Sequence, residues 1–125
     1  MKIVLQRVSS ASVKVDSKIV GRIEHGLLLL IGFSSKDTEE SILPTIEKIV
    51  KLRIFSDEEG KMNKSVLDVE GSMLLISQFT LYADTKKGNR PSFIEAARPE
   101  QAIPMYEFFI AEMKKRISKV ETGIF

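Results

Sequence analysis

Seven consecutive residues, Gly26-Leu27-Leu28-Leu29-Leu30-Ile31-Gly32, restrict what this chain can fold into more than any other stretch. A run that is apolar at every position has no polar side to show to water, so both of its faces must be covered. As a helix it would make barely two turns, whereas as a strand it crosses a domain core. The reading is a central strand buried on both sides, flanked by other strands at its edges.

The rest of the chain supplies the partners. Residues 2 to 8 alternate, with Ile3 and Leu5 on one face and Val4, Gln6 and Val8 on the other, which predicts a first strand. Val13 and Val15, then Asp16-Ser17-Lys18, then Ile19, Val20 and Ile23 predict a hairpin. Between Ser34 and Arg53 the period changes to three and four residues through Ile42, Leu43, Ile46, Ile49 and Val50, the pattern of an amphipathic helix. Ser35 and Asp37 are candidate caps. Pro44, tolerated in a first turn and costly inside, suggests a helix beginning near Ser41 or kinked there. Met73 to Ile76 predict another buried strand, Ser92 to Ala97 a short helical turn, and Glu100 to Ser118 a second long helix. The aromatic and methionine stripe of that helix reads as core. Val120 opens one more strand. Several strands and two helices of mixed order predict an α+β sheet with helices over a face, in a single domain spanning residues 1–125.

Composition removes whole classes of chemistry. There is no cysteine, hence no disulfide, thiolate zinc site or cysteine nucleophile, and His25 is the only histidine. It sits beside Gly26 where a turn is expected, and reads as a solvated turn residue. The carboxylates are dispersed without histidine neighbours, so no metal is expected. The formal charge of +2 is not by itself a nucleic-acid signature. Locally, however, Lys86, Lys87, Arg90 and Arg98 face only Glu95. A second group, Lys114, Lys115, Arg116 and Lys119, reads as a solvated face. The amino terminus lacks an extended apolar core and Leu27–Ile31 is far too short for a bilayer, which needs about 20 residues. A cytoplasmic protein without a membrane partner is expected.

The chemistry gathers in GSMLLISQFTLYADTKKGNRPSF, residues 71 to 93. The strand of Met73–Ile76 turns polar at Ser77, Gln78 and Thr80. If it continues as a strand, Ser77 and Phe79 share one face and Gln78 and Thr80 the other, leaving Ser77 to join the latter through a bulge. The basic turn Lys86-Lys87-Gly88-Asn89-Arg90 follows, placing a flexible cationic loop beside a polar strand end, where an anion could be held. Taken alone, such a strand end is more often simply surfacing into solvent, by roughly three to one.

The segment SQFTLYADTKKGNRPSF resembles the central motif of the D-aminoacyl-tRNA deacylases. The resemblance extends, in matching order and spacing, to KIVLQRVSSASVKVD, KIVKLRIFSDEEGKMNKSVLDV and VETGIF. It implies a mostly antiparallel or mixed, barrel-like sheet covered by two long helices, and a homodimer. The implied reaction is cofactor-free hydrolysis of the ester between a D-amino acid, or glycine, and the terminal adenosine of tRNA. Such an ester is already labile, so placement and carbonyl polarisation matter more than a strong nucleophile. No base adjoins the Thr80 hydroxyl. Thr80, Gln78 and Ser77 are therefore expected to position the carbonyl and amino group, with the ribose hydroxyl of the substrate activating water. Phe79 is expected to be core, and as the substrate-binding alternative its ring is of the type that stacks on the terminal adenine. Arg7 corresponds to a family arginine that braces the pocket, and Met62 and Asn63 to further pocket candidates. Lys86, Lys87 and Arg90 are expected to meet tRNA phosphates. Family members also carry a Gly-Pro dipeptide with a cis bond, on a strand after VETGxF, that enters the partner subunit's pocket. This sequence has no Gly-Pro, so a C-terminal truncation is expected, and a catalytically weak module binding tRNA ends is the alternative.

Overall fold

The computed structural model describes residues 1–125. Its main sheet has the order β1-β4-β7-β8, where β1 is Lys2–Val8, β4 Gly26–Gly32, β7 Ser72–Ser77 and β8 Val120–Thr122. The apolar run is thus an inner strand, as its composition demands. It pairs antiparallel with β1 and parallel with β7, which pairs parallel with β8. The remaining strands form two-stranded ribbons: β2 (Ala11–Val15) with β3 (Lys18–Ile23), and β5 (Phe55–Ser56) with β6 (Met62–Lys64).

Alternation sorts the inner strands. Leu27, Leu29 and Ile31 of β4, with Met73 and Leu75 of β7, share one core with Ile42, Ile46 and Ile49 of α1 (Glu39–Lys51) and Tyr106, Phe109 and Met113 of α2 (Pro99–Lys114). Leu28, Leu30 and Leu74 face the other way. There the β2–β3 hairpin lies across part of the sheet, so close that a methyl group on Gly21 would stand 2.6 Å from the Thr122 carbonyl and 3.2 Å from Leu74. Asp16 and Ser17, both at positive φ, make the two-residue turn whose twist suits a hairpin. The hairpin covers β7 and β8 but leaves the β1 side of that face open, where Val4 is half exposed. The sheet bends around its core without closing, β1 and β8 remaining as edges.

Helix α1 follows its predicted stripe and α2 follows most of its own, with Met105 buried where Ile103 was expected, and both have shifted ends. Thr38 caps α1, in a reciprocal box with Ser41, and Ser35 and Asp37 do not. The Asp37 carboxylate instead accepts from the Ser34 amide at 2.7 Å and from the amino group of Met1 at 2.9 Å. Helix α1 runs from Glu39 straight through Pro44, whose ring leaves the Glu40 carbonyl on the solvent side without its usual partner. Helix α2 starts on Pro99, a favoured first position, and ends at Lys114, not Ser118, where the Arg116 amide bonds the Met113 carbonyl three residues back instead of the carbonyl four back. Arg116 then bridges the helices, its Nε donating to Glu47 at 2.6 Å. Ser92 to Ala97 makes a single turn rather than a helix, closed by the Ala96 amide on the Phe93 carbonyl.

Candidate active site

Strand β7 does not run on through Thr80. The Gln78 amide makes the last sheet bond, to the Ile31 carbonyl at 2.7 Å, and the chain then tightens into one 3₁₀ turn, Phe79–Tyr82. The expected alternation of faces therefore fails after Ser77. Gln78 and Thr80 still meet, for a different reason: the turn folds the Gln78 carboxamide back so that Nε2 donates to the Thr80 hydroxyl. Ser77 needs no bulge.

Beside this turn lies a cavity of about 510 Å³, within the range typical of small-molecule sites. Ser77 opens into it from the end of β7. Buried Phe33, Ala97 and Ala102 line it on the inside, and Phe79 and Phe93 at the opening, their rings edge to face with centroids 5.4 Å apart. Phe79 is thus no core residue. It is 56 % exposed, because the change from strand to turn carries its side chain out over Phe93. Gln78 and Thr80 stand next to the cavity rather than in its lining. Only the Ser77 and Arg98 side chains give the lining any polarity, so no side chain there carries a carboxylate or imidazole to take a proton.

The wall is held from behind. The Ala97 amide donates to the Phe33 carbonyl at 2.8 Å, and Ser34 bridges Ala96. Buried Tyr106 donates to the Leu75 carbonyl at 2.7 Å, and burial pushes its phenol above the usual tyrosine range. The basic loop hangs just outside. Asp84 and Ser92 clasp its base with two backbone bonds of 2.8 Å, and Lys86, Lys87 and Arg90 project into solvent without an ion-pair partner.

Three expected pocket residues lie elsewhere. Register places Ser77 level with Ile31 and Ile3, but Arg7 level with Leu27 and Met73, four residues along the strands or about 13 Å away. Arg7 donates to the Ile54 carbonyl at 2.6 Å, tying β1 to the segment before β5. Met62, 65 % exposed, and Asn63, which accepts from Arg53, are on β6 at that same far end. His25 is also there, exposed and edge-on to Phe55, and takes no part in the cavity. Conversely, Phe93, Phe33 and Arg98 were not singled out for the site by sequence. Arg98 was visible only as one of the cations between positions 86 and 98.

This arrangement of strands and helices recurs in solved α+β structures. A structure titled "c-Myc DNA Unwinding Element Binding Protein" superposes with a TM-score of 0.93 at 40% identity, over 100% of this chain and 85% of that one. Another, titled "Structural Analysis of a probable eukaryotic D-amino acid tRNA deacylase", shares the fold with a TM-score of 0.83 at 18% identity, over 98% and 87% of the two chains. Proteins named D-aminoacyl-tRNA deacylase from Brevibacillus brevis and Bacillus thuringiensis are 54% and 56% identical, over 100% of this chain and 86% of their own length. A family model described as D-Tyr-tRNA(Tyr) deacylase matches residues 4–125, and the chain belongs to that family.

Proposed function

We propose that this protein hydrolyses the ester linking a D-amino acid to the terminal adenosine of tRNA, releasing both. The observation that carries the reading is the apolar cavity at the end of β7, with Ser77 inside it and the Gln78–Thr80 pair beside it. The amino acid enters the cavity. The carbonyl is polarised by the hydroxyl and carboxamide donors, and water attacks with help from the neighbouring ribose hydroxyl of the substrate, since the lining offers no base. The exposed face of Phe79 suits stacking by the terminal adenine. Lys86, Lys87 and Arg90 meet phosphates of the acceptor strand.

A homodimer completes this reading. Arg7, Met62 and Asn63 cannot reach the cavity of their own chain, and a second copy would be needed to bring them to it. Val4, half exposed on the open side of β1, offers an apolar contact point for such a dimer. A tRNA substrate places the work in the cytoplasm; no helix of the protein is long and apolar enough to cross a membrane.

The test is release of amino acid from D- and L-aminoacyl-tRNA by purified protein, with its mass in solution measured in parallel. Hydrolysis of the D-ester well above the spontaneous rate is expected. A D-ester that decays no faster with protein than without it would sink the proposal.

A further inference from the structure

We propose that Arg98 forms a phosphate-binding subsite at the cavity, taking the phosphodiester that immediately precedes the terminal nucleoside. This deepens the deacylase reading and rests on it. Arg98 is the one charged side chain in the lining. Its nearest anion is Glu100, with Nε 3.9 Å from the carboxylate and both side chains largely exposed. A contact that long between exposed groups leaves the guanidinium open to an incoming anion.

Fold stability does not explain an arginine here. Residue 98 is the N-cap of α2, and the side chain makes no capping bond. A serine or aspartate would satisfy a free amide, whereas a cation is disfavoured at this end of a helix. The backbone beneath it is nonetheless firmly held, since the neighbouring Ala97 amide reaches the Phe33 carbonyl and the amides of Gln101 and Ala102 both bond the Arg98 carbonyl at 2.9 and 2.8 Å. A pinned backbone under a free, exposed cation presents charge at a defined place.

The chemistry of the substrate selects the ligand. Its α-amino group is cationic and repels a guanidinium, and its carbonyl is met by Ser77, Gln78 and Thr80. With the aminoacyl-nucleoside seated in and against the cavity, the first anion outside is the phosphate one bond beyond the ribose. A planar guanidinium offers that phosphate two parallel donors.

The experiment compares two minimal esters of the same D-amino acid, one on adenosine and one on adenosine 5′-monophosphate. Wild-type protein should favour the phosphorylated ester in kcat/KM, and Arg98→Ala should lower that preference about 10-fold. Arg98→Lys should keep part of it, and added salt should erode it in the wild type. A second measurement needs no catalysis: titration with adenosine 5′-monophosphate against adenosine, where the phosphate advantage should disappear in Arg98→Ala. If Arg98→Ala slows both esters equally, or leaves the preference intact, the subsite is wrong while the deacylase reading stands. If the wild type cleaves neither ester nor aminoacyl-tRNA, the reading fails and the subsite fails with it.

Discussion

Donor bookkeeping at the strand end makes Thr80 the most informative residue to change. The Gln78 carboxamide has two N–H groups and spends one on the Thr80 hydroxyl. Having accepted that bond, the hydroxyl must point its own proton elsewhere, which on the proposed reading is towards the substrate. Gln78 keeps one N–H for the same purpose. The pair therefore presents two donors, one of which is oriented by the other. Thr80→Ala removes one donor and should cost about 10²-fold in kcat, the usual effect of losing one such group, or roughly 2.7 kcal/mol. Gln78→Ala removes its own donor and also frees the Thr80 rotor, so its loss should be at least as large. Because the second effect is contained in the first, the double variant should fall well short of the 10⁴-fold that independent losses would give. Thr80→Ser keeps the hydroxyl and should recover most of the rate. Thr80 is exposed and Gln78 half-buried, so thermal stability should barely move, separating this from unfolding. Single-turnover cleavage of D-aminoacyl-tRNA across the four-member cycle decides it. Strictly multiplicative losses, or a Thr80→Ala enzyme as fast as the parent, would refute the orientation argument.

Replacing Lys86, Lys87 or Arg90 singly with alanine should weaken tRNA binding similarly for all tRNAs and shallow the log–log salt slope by about one per phosphate contact, as read by titration at several salt concentrations. Glu47 is held below the usual glutamate range chiefly by its hydrogen bond to Arg116, and Glu112 by Lys115. A carboxylate depressed in the folded state stabilises the fold above its unfolded value of about 4.3 and loses that contribution as pH falls through its folded value. Urea midpoints should therefore decline below about pH 4, less steeply in Glu47→Gln and in high salt. Gly26→Ala would put a methyl 1.9 Å from the Ser72 carbonyl, in the backbone of the adjoining strand, and should lower the melting temperature by more than any surface change.

Much of the architecture could be read from periodicity because burial dictates it. Leu27 to Ile31 had nowhere to go but the middle of a sheet, and Ile42, Ile46 and Ile49 had to line one side of a helix. Ser77, Gln78 and Thr80 stood out as candidates by type and by resemblance, but their geometry was not legible. Nothing between Ser77 and Ala83 is a glycine or proline, so the sequence carries no local signal that the strand stops. The stop comes from the neighbour: β4 ends at Gly32, and with no further partner after the Gln78–Ile31 bond the chain tightens on itself. Phe79 was misplaced in the core for that reason alone. Asp37 looked like a cap because aspartate caps helices, yet Thr38 is one residue closer and completes a box with Ser41. Arg7, Met62 and Asn63 were grouped with Ser77 by resemblance, and no pattern within one chain could reveal that the register sets Arg7 at the opposite end of the sheet, or that Met62 and Asn63 lie on the separate β5–β6 ribbon.

The pairing of β4 with β7 also sets a timetable. Leu29 lies beside Leu75, yet α1 and the β5–β6 ribbon are synthesised between them. A parallel partner cannot arrive through a tight turn, so closure of that long loop must precede the sheet's central bonds, and topologies of this kind fold slowly. As the ribosome emits the chain, β1 to β4 can collapse first as a local antiparallel unit, with one edge of the most apolar strand unprotected until β7 arrives. That interval is when the nascent protein is most exposed to aggregation, and the Ser77 end of β7 acquires its place only at its close.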